Sequence, residues 1–320
     1  MLRRFWTEEL DRPPRSLYPW WNLAGRPALP ASLSSLHLVH APSAAAVPPA
    51  AQGQRLVVTV HNVSFLVTPF AVPSRWRSTL RMGLRAAVRR ADAVISPSRS
   101  TAEDLLTRTR IDPARVHVIP LAPALEAVAD DPDSVVSRLK ISVPYVLSVG
   151  SLEPRSNLVR LIRAYRRAAA TGIPHALVLA GALGWRHQTL LREIALPGPG
   201  EVVLTGRLSP TDLDAVYRKA AIVVYPALYE GFGVPVLEAM ARGVPVICSN
   251  TSSLPEVSGD AAVGVNPGSV REIAAAIEAV LTDESLAARL ASRGPARAER
   301  FSWDETARLT LQVYEKTLLG

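Results

Sequence analysis

Short apolar, β-branched runs punctuate the chain, and between them lie longer stretches whose apolar residues return every three or four positions. In the first half such runs fall at 36–40, 55–60, 93–96 and 116–119; in the second, at 145–149, 175–180, 202–205, 221–226, 244–248 and 261–265. Runs of this length and composition read as strands buried on both faces. A helix is predicted over 74–90, and others begin near Ser98 or Ser100, at Asn157, at Ser209 and at Val270. A last helix is opened by Ser302-Trp-Asp-Glu305. Strand alternating with helix is the pattern of parallel sheets joined by crossover helices, hence an α/β chain. The pattern lapses twice. Residues 1–35, with five prolines and three tryptophans, sustain no period, and Pro120 to Val143, with Asp130-Asp-Pro-Asp133 inside it, reads as a linker. The expected organisation is therefore a domain over 1–125, a linker over 126–143 and a second domain over 144–320.

The densest chemistry lies in Tyr229-Glu-Gly-Phe-Gly-Val-Pro-Val-Leu-Glu-Ala-Met-Ala-Arg-Gly243. Flanked by two strands, it calls for a crossover helix. Pro235 suits the first turn, Leu237 with Met240 and Ala241 makes an inward face, and Gly243 suits the position just past the end. That reading puts Glu230 in the loop and Glu238 in the first helical turn. A loop at the carboxyl end of a parallel strand, followed by an amide-rich helix start, forms the ligand crevice of doubly wound sheets. Gly231 and Gly233 let backbone N–H groups come close to a ligand, and carboxylates there accept hydrogen bonds from vicinal hydroxyls of a ribose or hexose. The bland alternative stays open: Glu238 complementing the helix dipole and Glu230 as a solvated loop charge.

Composition narrows the partners. With 320 residues, 48% hydrophobic and 20% charged, the chain has room for two cores of about 150 residues each. No apolar run approaches the ~18 residues of a spanning helix, and the start lacks the apolar core of a signal peptide, so the cytoplasm is the expected compartment. The single cysteine, Cys248, falls in a strand and reads as a small buried apolar residue. A net charge of +8 and a pI near 10.1 ask for an anionic partner. There is no zinc-spaced Cys/His cluster, no Walker loop and no nucleic-acid motif, which leaves a diphosphate substrate or an anionic membrane surface. For the second, Arg77, Arg81, Arg85 and Arg89 recur every four residues beside Leu80, Leu84 and Val88. The stripe is either a solvated face or a peripheral contact with anionic lipid at the inner face of the membrane.

Taken whole, Glu230-Gly-Phe-Gly-Val-Pro-Val-Leu-Glu238-Ala-Met-Ala-Arg-Gly-Val-Pro-Val, followed by Ser253-Leu-Pro-Glu256, closely resembles the donor-binding signature of retaining GT-B glycosyltransferases of glycosyltransferase family 4. Together with Glu153-Pro-Arg…Asn157 and Thr59-Val-His61, the likeness is greatest to bacterial mannosyltransferases. It implies two Rossmann-like domains whose parallel sheets face a cleft, and the transfer of a hexose, mannose by preference, from a nucleotide-diphosphate sugar such as GDP-mannose to a hydroxyl of a glycan or lipid-linked acceptor. No cofactor and no metal are implied. By the resemblance Glu238 binds the nucleotide ribose, and Glu230 with Gly231, Phe232 and Gly233 holds the donor sugar. Arg155 faces the diphosphate, with Arg207 reaching in from the next strand end, and His61 faces the reacting sugar across the cleft. Ser98, in a segment bordering the acceptor side, is accounted for by an N-cap alone.

Three departures stand out. Ser156 occupies the place of the lysine that completes the basic pair on the pyrophosphate, Asn62 replaces an aspartate after His61, and the opening strand with its glycine-rich loop is missing, so the first domain reads as shortened. These departures favour the rival reading of a catalytically lapsed relative that binds a nucleotide sugar or a partner. A nucleotide-sugar epimerase shares the fold but should not carry the Glu-Gly-Phe-Gly…Glu phrase.

Overall fold

The computed structural model describes residues 14–33, 35–124 and 128–320. The first half runs α1 (Pro14–Ala24), β1 (Leu38–Ala41), β2 (Arg55–Thr59), α2 (Ser64–Val67), α3 (Ser74–Arg90), β3 (Ala93–Ser96), α4 (Arg99–Arg108) and β4 (Val116–Val118). Its four strands form an all-parallel sheet in the order β1-β2-β3-β4. The second half runs α5 (Pro132–Arg138), β5 (Tyr145–Val149), α6 (Leu158–Ala169), β6 (Ala176–Ala180), α7 (His187–Ala195), β7 (Val202–Gly206), α8 (Pro210–Arg218) and β8 (Ile222–Tyr225). It continues with α9 (Val234–Ala241), β9 (Val246–Ser249), α10 (Leu254–Ser258), β10 (Ala262–Val265), α11 (Val270–Thr282), α12 (Glu284–Ala298) and α13 (Trp303–Leu319). These six strands are also parallel, in the order β10-β9-β8-β5-β6-β7. Chain order reverses at β5, which lies between β6 and β8, so the crevice for a ligand opens beyond the carboxyl ends of β5 and β8.

The central strands are apolar throughout because helices cover both sheet faces. Tyr145, Val146 and Leu147 of β5 and Val223 and Val224 of β8 are inaccessible to solvent. Serine caps start the helices where the sequence places them: the hydroxyls of Ser98, Ser209 and Ser302 accept the backbone N–H groups of Thr101, Asp212 and Glu305. Asn157 differs. It stands at the start of α6 in the left-handed region, φ 62°, and its side chain makes no cap. Instead its Nδ2 donates to the carbonyls of Pro226 at 2.9 Å and Pro267 at 2.7 Å, pinning α6 to the loops after β8 and β10.

Several segments depart from the sequence reading. The proline-rich start holds α1, with Leu17 and Trp21 buried against the first half. The presumed linker holds α5, whose Val136 joins Ile141 in the core of the second sheet. α7 had no signal, because its N-cap residue, Arg186, lies in the left-handed region and offers no capping side chain. The last helix, α13, leaves the second half and packs on the first sheet, Val313 against Val57, Ala93 and Ile95. There Tyr314 Oη lies 2.6 Å from Nδ1 of His40, whose Nε2 lies 2.8 Å from Thr59 Oγ1. α9 begins at Val234, so Glu238 falls in its second turn rather than its first; Leu237 and Met240 are buried, but Ala241 is exposed.

Candidate functional site

The carboxyl ends of the two sheets face each other across a cleft, and the loop from Tyr225 to Gly233 spans it. Glu230 lies in that loop, paired through Oε2 with Nη1 of Arg155. Arg155 is further held by Glu153, Nε to Oε1 at 3.1 Å, and by the carbonyl of Tyr229 at 3.1 Å. Burial pulls the Arg155 guanidinium down, but Glu230, Tyr225 and Glu153 together carry it above its ordinary range. Burial raises the Glu230 carboxyl, and the pull of Arg155 only partly offsets this. The loop backbone is fixed as tightly: Glu230 N–H donates to Ser252 Oγ at 3.0 Å, and Ser253 Oγ donates to the carbonyls of Glu230 and Phe232 at 2.9 and 2.8 Å. Phe232 itself points away from the cleft, into the second core, where its ring meets Phe301 edge-on with centroids 5.6 Å apart. Only its backbone is left for a ligand.

The first half supplies the opposite wall. His61, at the end of β2, lines a cavity of about 400 Å³ shared with Arg155, Glu153, Trp76 and Trp185, its Nε2 lying 2.8 Å from the Pro42 carbonyl. Asn62, in the aspartate's place, accepts the Ser64 N–H at 3.1 Å and the Ser64 hydroxyl at 2.7 Å, an Asx turn that starts α2. Gly231 packs directly on the carbonyl of His61, which brings the Glu230 loop against the end of β2. The Trp185 indole N–H crosses the cleft to the Ala71 carbonyl at 3.1 Å.

A second cavity, of about 580 Å³, opens at the carboxyl ends of β5, β6 and β7. Gly150, Gly181, Arg207 and Ser209 line it, and Arg207 is exposed on its rim. The two arginines therefore serve different cavities, Arg155 on the His61 side and Arg207 on this one. Ser156 lines neither cavity and donates its hydroxyl to the Ser151 carbonyl at 2.6 Å. Glu238 also lines neither. It is buried, with the Tyr217 hydroxyl on Oε2 at 3.0 Å and the Ala124 backbone beside it. Burial raises its pKa, while Tyr217 and the nearby Arg242 pull it back.

The sequence did not reveal the seat on which the loop rests. Along α4 of the first half, Ser98 Oγ and Thr101 Oγ1 both donate to the Gly231 carbonyl, at 2.7 and 3.2 Å. One turn on, Asp104 accepts the Tyr229 hydroxyl at 3.0 Å. Tyr229 belongs to the second half by sequence, yet its side chain is buried in the first half's core. Glu256, from Ser-Leu-Pro-Glu, takes the Arg99 and Ser100 N–H groups on its carboxylate at 2.9 and 3.3 Å, so a residue of the second half caps a helix of the first. Ser98 is thus both an N-cap and a contact across the cleft.

Comparison with known proteins agrees with this geometry. Residues 132–297, just over half of the chain, match the family Glycosyl transferases group 1, and residues 4–122 match Glycosyltransferase Family 4. The O-antigen chain mannosyltransferase B of Escherichia coli is 31% identical over 268 residues, covering 82% of this chain and 70% of that protein. The MMP alpha-(1->4)-mannosyltransferase of Mycolicibacterium hassiacum is 30% identical, covering 76% of this chain and 58% of its own length. Sucrose-phosphate synthase from Thermosynechococcus elongatus superposes with a TM-score of 0.68 at 26% identity, over 82% of this chain and 68% of that one. The fold is shared as well by Anabaena HepE, solved in complex with UDP and glucose, with a TM-score of 0.71 at 19% identity over 89% of this chain and 78% of that one. With two parallel-sheet halves, the donor-loop phrase in the cleft between them and these matches, the chain belongs to glycosyltransferase family 4 and is a glycosyltransferase of the GT-B fold.

Proposed function

We propose that the chain transfers mannose, with retention and without a metal ion, from GDP-mannose to a hydroxyl of a glycan or lipid-linked acceptor. The observation that carries this reading is the Glu230–Arg155 pair facing His61 across the cleft, with Gly231 seated on the histidine's carbonyl. The names of the two mannosyltransferase relatives support the sugar. Fixed cations stabilise a departing diphosphate without a metal; Arg155 and Arg75 line the first cavity and Arg207 the second. The chain's Asp-x-Asp pairs are engaged elsewhere. Asp212 and Asp214 are held by Arg138 at 2.6 Å and Arg242 at 2.8 Å, and Asp133 by Lys219 at 2.7 Å, while Asp131 caps α5. By the family likeness Glu238 contacts the ribose; in this arrangement it would do so from beside Tyr217. With GDP-mannose and a mannoside acceptor, the product should carry the α linkage of the donor by NMR, at the same rate in EDTA. A β product, or turnover lost to EDTA, would contradict the proposal.

A second reading, a lapsed relative that only binds a nucleotide sugar, is favoured by one observation: Arg155 is already engaged by Glu230 and Glu153, and no lysine stands beside it. Ser156→Lys should therefore raise turnover by roughly tenfold, the worth of one added charged hydrogen bond to the diphosphate. An inactive wild type with no gain in the variant would favour the lapsed reading.

The chain also acts, on this proposal, at the inner face of a membrane, as a peripheral cytoplasmic protein. Among the described residues no helix is long and apolar enough to cross a bilayer. Of the four stripe arginines, Arg77 turns back to the Pro69 carbonyl at 3.3 Å, leaving Arg81, Arg85 and Arg89 exposed. At about 1 kcal/mol per basic side chain, changing these three to Gln should weaken cosedimentation with anionic vesicles by roughly 100-fold or more. High salt should do the same for the wild type. Equal pelleting of variant and wild type would leave the stripe a solvated face.

A further inference from the structure

Beyond the catalytic cleft, a cavity of about 580 Å³ opens between α3 and the carboxyl end of α4. Its walls are guanidinium groups: Arg81, Arg85 and Arg89 from α3, Arg108 and Arg110 from the end of α4. Its remaining lining is chiefly apolar, with Leu66, Leu84 and Val88. We propose that this cavity binds a phosphate monoester carried on an apolar chain.

Charge balance is the first argument. Asp104 is the acid beside the walls, and both its oxygens are engaged: Oδ1 with Arg108 Nε at 3.1 Å and Oδ2 with the Tyr229 hydroxyl at 3.0 Å. Among the described residues Arg81, Arg85, Arg89 and Arg110 have no ion-pair partner. Arg81, Arg85 and Arg89 follow one another at i, i+4, where like charges repel and destabilise the helix. Folding alone gains nothing from that arrangement, but several arginines lining one cavity suit a phosphate, which accepts hydrogen bonds from two or more guanidinium groups at once.

The lining supplies the second argument. A site for free phosphate has no use for an apolar floor, whereas Leu66 and Val88, half-buried beside the buried Leu84, leave apolar surface for a hydrocarbon chain to cover. The same two helices serve both cavities: Phe65 of α2 and Leu80 of α3 line the one that holds His61, and the next residues along each helix, Leu66 and Arg81, line this one. The inference rests on the cavity and does not depend on the donor sugar.

Octyl phosphate, kept below its micelle concentration, is the probe, titrated by calorimetry into the full chain alongside inorganic phosphate and octyl glucoside. The wild type should bind octyl phosphate at least tenfold more tightly than either. Arg85→Gln/Arg89→Gln should lose at least tenfold, and Arg167→Gln, an exposed arginine on α6, should lose nothing; circular dichroism would establish that all are folded. Inorganic phosphate binding as tightly as octyl phosphate, or a double variant that titrates like the wild type, would overturn the proposal. Pelleting with anionic vesicles without any octyl phosphate binding would also overturn it, while leaving the membrane contact standing as a diffuse surface effect.

Discussion

Gly231→Ala is expected to lower kcat/KM by about 100-fold while the chain stays folded. A methyl group at Gly231 would be driven into the carbonyl oxygen of His61 and would stand 2.8 Å from Asn62 Cβ. The obstacle is backbone, which cannot rotate aside as a side chain would. Either the donor loop or the end of β2 must give, and both carry the candidate chemistry. The same shift would stretch the hydrogen bonds from Ser98 and Thr101 to the Gly231 carbonyl, now 2.7 and 3.2 Å. A displacement of about 1 Å between reacting groups costs roughly 100-fold in rate. Each half keeps its own core, so the thermal midpoint should fall by only a few degrees. Ser98→Ala supplies the graded comparison: it removes one donor to the carbonyl and the cap of α4, about 1 kcal/mol of stability, with a smaller loss of rate. Wild-type kinetics in Gly231→Ala would show that the loop does not work in this position.

The strands were legible because a strand covered on both faces must be apolar along its length. All ten runs read from the sequence are strands, with ends displaced by a residue or two. What escaped is what depends on distant partners. α1 is held by Leu17 and Trp21, whose burial needs the rest of the first half. α13 has the period of a helix, but no local feature says that it returns to cover the first sheet. In the site, the Glu-Gly-Phe-Gly phrase and Glu-Pro-Arg were readable as loops at strand ends, and the structure brings Glu230, Arg155 and His61 to one cleft. It leaves Ser156 and Glu238 outside the cavities, and it buries the Phe232 ring. The seat on α4 was beyond the sequence: Glu256 reaches the amides of a helix 157 positions earlier in the chain, and spacing carries no trace of that. The arginine stripe was legible as a period but not as a wall, since Arg108 and Arg110 come from another helix.

Arg155→Met should abolish turnover and also lower stability, by about 3 kcal/mol, and the second loss should depend on pH. Removing one partner of a buried ion pair leaves an uncompensated charge, at a cost of about 3–5 kcal/mol. Here the side chains of Arg155 and Glu230 keep 21% and 17% of their exposure, which favours the lower end. For a chain of this size that is roughly 5–10 °C in thermal midpoint. The sign of the pH effect follows from Glu230. Burial already raises its pKa in the folded state, and Arg155 is what restrains the rise; without the arginine the folded pKa climbs further. A raised carboxyl binds its proton more tightly folded than unfolded, so its contribution is fully present below the unfolded pKa and is lost as pH rises through the folded one. The deficit of Arg155→Met relative to the wild type should therefore be largest at high pH, where Glu230 is charged in both states, and shrink on acidification as the folded carboxyl takes up its proton. Adding Glu230→Gln removes the stranded charge, so the double variant should regain most of the stability at high pH but none of the turnover. A deficit that is the same at every pH, or a double variant no more stable than Arg155→Met, would mean that the arginine is held there by packing and that Glu230 does not need its charge.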